Sequence, residues 1–202
     1  TLRGFSAAQN EIAARHRAGE IGFRIDAGKF QGSYAEMAEG VNKLAGDHIA
    51  LTLRTIEVVN RYALGDLSAD MDRLPGEKAK ITEAVDEVKA RLGAMRDQIL
   101  ELSGAASRGD FSLRGDEQRF DYAFRDMVVG LNALMAAADR GIEAVSTTLG
   151  ALSTGDLTCA MQGQFQGRFA DMQTAANATV ERLSGIVTGI KGAVDAISQA
   201  AQ

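Results

Sequence analysis

Four short tripeptides, each a glycine followed by an acidic and an apolar residue, contain the side chains of this sequence best suited to chemistry. They are Gly19-Glu20-Ile21, Gly65-Asp66-Leu67, Gly109-Asp110-Phe111 and Gly155-Asp156-Leu157. A carboxylate held in a loop can act as an acid, a base or a metal ligand. Repetition of the tripeptide at four loops favours a structural role instead, in which each glycine ends a helix in the left-handed conformation.

The other reactive side chains do not form a catalytic or metal-binding pattern. His16 and His48 lack cysteine or carboxylate ligands at metal-site spacing, and the place of His48 on an apolar stripe predicts a packed, hydrogen-bonded histidine. Cys159 is the only cysteine, so no intrachain disulfide can form and a reducing compartment is favoured. No glycine-rich loop has a phosphate-binding signature. We therefore expect no catalytic residue, no metal, no cofactor and no enzyme activity.

The composition favours helices and argues against a nucleic-acid partner. Hydrophobic residues make up 46% of the chain, mostly Ala, Leu, Val, Ile and Met, and there is a single proline, Pro75. The net charge is −5, and Lys and Arg do not cluster into a basic face. No apolar run approaches the roughly 20 residues that span a bilayer. The abrupt start at Thr1 suggests a fragment, so a membrane span could lie outside it.

Two further landmarks repeat with the glycines, which recur every 44 to 46 residues. An apolar residue follows each tripeptide, and an Asn or Asp comes 12 residues after it. The apolar landmarks are Phe30, Leu74, Phe120 and Phe165, and the polar landmarks are Asn42, Asp86, Asn132 and Asn177. The three asparagines could flank the core or, if buried, fix the register of the helices. The constant spacing after the apolar landmark predicts regular structure there, whereas the variable gap before it predicts a loop.

Apolar residues in the segments between the loops follow a coiled-coil pattern. From Ile81 to Ala106 they alternate in steps of four and three, which is a heptad seam. Two successive steps of four near Ala138 form a stutter, which locally unwinds a supercoil. Glycines inside the helices, such as Gly141 and Gly150, indicate adjustable packing, because each lowers helix stability. Each long helix therefore ends one repeat and begins the next.

The loop length predicts that the two helices of a repeat run parallel. An antiparallel pair needs only a short turn, whereas a loop of about 12 residues can reach back along a whole helix. Spaced apolar residues in the loops, such as Leu67 and Met71, would lie in a helical groove. Two helices cannot enclose a core, so we expect an all-α fold of stacked parallel four-helix bundles, formed by two copies of the chain.

The pattern of helix, glycine, GDL-type connector with apolar anchors, and second helix resembles the HAMP signal-relay domain. Four copies resemble a poly-HAMP array. The repeat predicts units at residues 1–53, 54–95, 96–141 and 142–187, and the start of a signalling helix at 188–202. One departure concerns the Asp-Glu pair that opens the second helix in the family, of which only Glu77 keeps an acid here.

The last unit, beginning GDLTCAMQGQFQGRF at Gly155, resembles the segment before the signalling hairpin of bacterial methyl-accepting chemotaxis proteins. This resemblance implies a relay in the cytoplasmic portion of a receptor, and an inner-membrane receptor is one parent protein that fits it. It also implies a histidine kinase and an adaptor as partners of a downstream domain. The alternatives are a relay in a sensor histidine kinase or a cyclic-nucleotide enzyme, a passive coiled-coil spacer, and a cofactor-binding helical enzyme.

Overall fold

The computed structural model describes residues 1–200, and throughout this range the regular secondary structure is helical. Five long helices follow one another: α1 (Leu2–Arg17), α2 (Ser33–Ala63), α3 (Ala79–Ser107), α4 (Tyr122–Ser153) and α5 (Arg168–Ala200). Short 3₁₀ turns at Ala27–Lys29, Gly76–Lys78 and Glu117–Arg119 precede α2, α3 and α4. The prediction of an all-α fold built from helix–connector–helix repeats is confirmed.

The chain divides into two compact units, residues 1–94 and the residues from 95 onward. The first unit holds α1, α2 and the first part of α3, and the second holds the rest of α3 with α4 and α5. In the part of the chain that the structure describes, no helix combines the length and the apolar character needed to cross a membrane.

The two helices of the first repeat, α1 and α2, run side by side in the same direction. Near the start of α1, the ring of Phe5 lies 5.9 Å from that of Tyr34, in the first turn of α2. Further along both helices, Ile12 and Ala38 belong to the same buried cluster. Because the N-terminal part of α1 packs against the N-terminal part of α2, the two helices are parallel, as the loop length predicted.

The connectors between parallel helices lie against them rather than in solvent. Each contains a residue with almost no exposed surface: Ile25 retains 4%, Met71 2%, Phe120 2% and Met161 2%. Met71 packs with Val58 and Tyr62 of α2 and Val85 of α3. Burial of such side chains is a main favourable contribution to holding an irregular segment in place.

Candidate functional site: the four connectors

Each predicted glycine ends a helix in the left-handed conformation. The φ angles of Gly19, Gly65, Gly109 and Gly155 lie between 81° and 93°. The amide of the acidic residue that follows donates to the carbonyl oxygen five positions earlier, at 2.9 to 3.0 Å. This is the Schellman arrangement, and it supplies partners to carbonyl groups that a helix end leaves open. A residue with a Cβ atom is strained at this φ, which explains the glycine.

The aspartates of the tripeptides are engaged in tight local turns. One carboxylate oxygen of Asp66, Asp110 and Asp156 accepts hydrogen bonds from both the hydroxyl and the amide of the residue two positions on, at 2.6 to 3.0 Å. These hydrogen bonds lower the pKa of each carboxyl because they favour its charged form, and the bond from the hydroxyl has a larger effect than the bond from the amide. Within residues 1–200, no cluster of His, Cys, Asp and Glu side chains could hold a metal ion.

The first connector begins differently from the other three. Glu20 pairs with Arg15 of α1 at 2.8 Å, and the Arg15 guanidinium lies 4.7 Å from the centre of the Phe23 ring. Ile21 is exposed, whereas the corresponding Leu67, Phe111 and Leu157 are half-buried. Leu67 and Phe111 pack against buried clusters of their repeats. The start of the first connector is therefore held by a charged side chain and an aromatic ring.

The apolar landmarks secure the far end of each connector to different degrees. Phe120 is 2% exposed, and Leu74 packs against the buried cluster around Met71. The Phe30 ring meets that of Phe5 edge to face at 5.8 Å. Phe165 is half-buried, with its ring 6.4 Å from that of Phe169. Each landmark places an apolar side chain just before the second helix begins.

Three asparagines on the second helices bind the connector backbone. The Oδ1 atoms of Asn42, Asn132 and Asn177 accept from the amides of Ile25, Gly115 and Met161 at 2.7 to 2.8 Å. Their Nδ2 groups donate to the carbonyl oxygens of the same residues, at 2.7, 2.9 and 3.3 Å. A side-chain amide can satisfy both groups of one backbone residue because it carries a donor and an acceptor. We call this arrangement the asparagine clamp.

The second connector is held by charges instead, because its polar landmark is an aspartate. A carboxylate has no donor for a carbonyl oxygen, and Asp86 forms an ion pair with Arg73. Lys89 donates to the carbonyl of Ala69 at 3.1 Å and pairs with Asp70 at 2.6 Å. Lys89 and its hydrogen bond lower the pKa of the Asp70 carboxyl.

Other polar side chains that pattern analysis missed also hold the connectors. Thr82, 2% exposed, donates to the carbonyl of Asp72 at 2.7 Å, and the buried Tyr62 hydroxyl donates to that of Ala69 at 2.9 Å. The buried Gln98 accepts from the amide of Asp116 at 3.3 Å. A polar residue on an apolar helical stripe is the signal that could have found them. Glu77 makes a different contact, an ion pair with Lys80 in the next turn.

The residue two positions after each apolar landmark is also left-handed. Its φ is 53° at Gly32, 58° at Gly76, 48° at Tyr122 and 55° at Gly167. The second helices therefore begin from one shared backbone geometry. Three repeats supply a glycine, and the third repeat supplies a tyrosine that is 91% exposed.

The heptad seam faces two ways. In α3, Val85 and Leu102 are buried within the chain, whereas Val88 and Ile99 are 46% and 41% exposed. Similar exposed apolar residues line α2, α4 and α5, including Met37, Leu134, Leu149 and Ile190. Within one chain, the helices thus bury only part of their apolar surface.

Adjustable packing at the glycines inside the helices stays a prediction, and the structure places one of them, Gly141 of α4, at a close helix contact. A Cβ atom there would lie 2.3 Å from the ring of Phe169, well inside van der Waals contact. Gly141 is buried, so its missing side chain lets α5 approach α4. At Gly150, by contrast, a Cβ atom would meet nothing within 4 Å.

Two segments of the chain match known families. Residues 51–93 match HAMP N-terminal domain 3, and residues 119–185 match the HAMP domain. The chain is also 24% identical to methyl-accepting chemotaxis protein McpB of Pseudomonas aeruginosa, over 94% of this chain and 48% of the relative. The chain thus spans about half the length of this relative.

Proposed function

We propose that the chain is an array of HAMP domains of the kind found in chemoreceptors, and that it relays a conformational signal along a parallel homodimer; the two HAMP matches and the chemotaxis relative support this proposal. An upstream sensor changes the packing of one bundle, and the helices pass that change to the next. The signal finally reaches a kinase-control region downstream, with a histidine kinase and an adaptor as partners. In this proposal the array lies on the cytoplasmic side of a receptor, as an adaptor and kinase would require.

The observation that carries the proposal is the exposed half of the heptad seam. Val88 and Ile99 lie on the same apolar stripe as the buried Val85 and Leu102, yet face away from the chain's own core. Water contact with such a stripe is unfavourable, and heptad positions pack best against another helix. A second copy in parallel register presents the same stripe at the same height, so two helices from each copy complete a four-helix bundle.

The connectors explain how a change in one helix reaches its neighbour. Gln98 of α3 and Asn132 of α4 bind successive residues of one connector, Asp116 and Gly115. A rotation of α3 therefore pulls on the segment that α4 also holds. Coupling of this kind requires two packing states of similar energy, so that an input can shift their populations.

The long helices provide the path between repeats. Helix α2 runs from the connector of the first predicted unit to that of the second, and α4 does the same between the third and fourth. We propose unit boundaries at 1–53, 54–95, 96–141 and 142–187, with the signalling helix starting at 188. Residues 188–200 are helical and exposed, whereas 201 and 202 lie outside the described residues.

Insertions into α4 of an intact receptor test the relay. Four residues inserted at Ala138 rotate the downstream seam by about 50° in a coiled coil of 3.5 residues per turn, whereas seven residues restore its phase. A relay predicts kinase output that is locked or inverted by the four-residue insertion and retained with the seven-residue control. Equal regulated output from both receptors would identify the array as a passive spacer.

A further inference from the structure

The start of α4 is the strained point among the four second helices. In the four repeats, the residue two positions after the apolar landmark has φ between 48° and 58°. L-residues with a Cβ atom are destabilised in the left-handed region, whereas glycine is not. The third repeat nevertheless has Tyr122 there, while the others have Gly32, Gly76 and Gly167.

Backbone strain, not crowding, distinguishes the tyrosine from the glycines. A Cβ atom built at Gly32, Gly76 or Gly167 would meet nothing within 4 Å. Space is therefore available for a side chain at this position, and glycine is favoured by φ alone. The Tyr122 side chain is 91% exposed, so burial offers little compensation for the strain.

The surroundings of Tyr122 hold the strained conformation in place. The preceding landmark, Phe120, is 2% exposed, and its carbonyl oxygen accepts a hydrogen bond from Arg125 at 3.0 Å. Upstream, Asn132 clamps Gly115 and also donates to Glu117 at 2.8 Å. The anchor and the clamp hold the segment before the turn, and the Arg125 hydrogen bond ties that segment to the first turn of α4, so the strain persists until one of these contacts is released.

We propose that the left-handed Tyr122 destabilises the first turn of α4, so that this turn opens before the rest of the third repeat. Opening of this turn relieves the left-handed strain, so less free energy separates the open and closed states here than at the start of α2 or α5. A role of this local opening in signalling rests on the relay function proposed above. The strain itself does not.

Hydrogen exchange of the 202-residue chain, followed by mass spectrometry of peptides from the starts of α4 and α5, tests the proposal. Tyr122→Gly relieves the strain and should slow exchange at the start of α4 about tenfold, which corresponds to about 1.4 kcal/mol. Tyr122→Ala removes the aromatic ring but keeps the strain, so exchange should stay as fast as in the parent chain. Gly167→Ala introduces the strain into the fourth repeat and should accelerate exchange at the start of α5 by a similar factor.

The comparison of glycine with alanine decides the outcome. Equal exchange in Tyr122→Gly and Tyr122→Ala would assign any effect to the aromatic ring and overturn the proposal, as would unchanged exchange in Tyr122→Gly. The glycine variant copies the residue of the other three repeats, so it preserves the fold. Because this measurement does not involve receptor output, its failure is distinct from failure of the relay in the insertion experiment.

Discussion

Alanine substitutions at Gly141 and Gly150 should change stability in different directions although both residues lie inside α4. In a helix interior, alanine is more stable than glycine by roughly 0.5–1 kcal/mol because glycine loses more backbone entropy on folding. Gly150 has open space around it, so Gly150→Ala should raise the free energy of unfolding by that amount. Gly141 is in contact with Phe169, so the same methyl group would collide with a ring.

The size of the collision can be worked out from the geometry. The added Cβ would lie 2.3 Å from two ring carbons of Phe169 and 2.8 Å from Cγ, the ring atom nearest the backbone. Ordinary carbon contacts are about 3.5–4.0 Å, so the ring as a whole must move by more than 1 Å. Overpacking of this kind costs about 1–3 kcal/mol. Both variants share the helix-propensity gain, so this cost is the expected difference in stability between them.

Urea unfolding at a fixed protein concentration measures the difference, because association makes the apparent stability depend on concentration. The double variant Gly141→Ala/Phe169→Leu should recover part of the loss, since the smaller side chain leaves room for the methyl group. If Gly141→Ala were as stabilising as Gly150→Ala, the close approach of α4 and α5 at this position would be refuted.

Two further predictions concern the dimer and the clamp. In a chain with Cys159 replaced by serine, Val88→Cys should form an intermolecular disulfide under mild oxidation, whereas Val85→Cys, buried within the chain, should not; non-reducing electrophoresis distinguishes them. Asn132→Ala removes both hydrogen bonds to the Gly115 backbone and should lower the free energy of unfolding by about 1–3 kcal/mol, measured by urea unfolding.

Each of these predictions has a result that contradicts it. Crosslinking at residue 85 but not at 88 would place the partner on the wrong face of α3. For the clamp, Asn132→Asp is the control, because it keeps the acceptor for the Gly115 amide but loses the donor. Stability of Asn132→Ala equal to that of the parent chain would show that the clamp contributes nothing to holding the connector.

Local features of the connectors could be predicted from the sequence because they depend on residues close together in the chain. The helix ends at Gly65 and Gly109 follow from the left-handed preference of glycine, and the hydrogen bonds of the cap span only five residues. The periodicity of apolar residues likewise predicted the helices, and the length of the loops that join them predicted their parallel direction.

The backbone partners of the three asparagines could not be predicted, because they lie 16 or 17 residues away and meet only after the helices pack. The sequence pattern indicated that Asn132 either flanks the core or fixes the register of the helices, whereas its side chain binds the backbone of the connector. Gln98 and Thr82 gave no repeated signal, since each serves a single repeat.

By itself, the sequence determined the helices, the connectors and the four-fold repeat, since caps and periodicity are local properties of the chain. Only the tertiary structure decided what each position does. Gly141 has no side chain in the space that the Phe169 ring occupies. Val85 is buried, whereas Val88 on the same stripe is exposed. Tyr122 has a left-handed φ in a connector whose Phe120 is buried and whose Gly115 is bound by Asn132. These outcomes depend on contacts between segments distant in the chain, which no local pattern encodes.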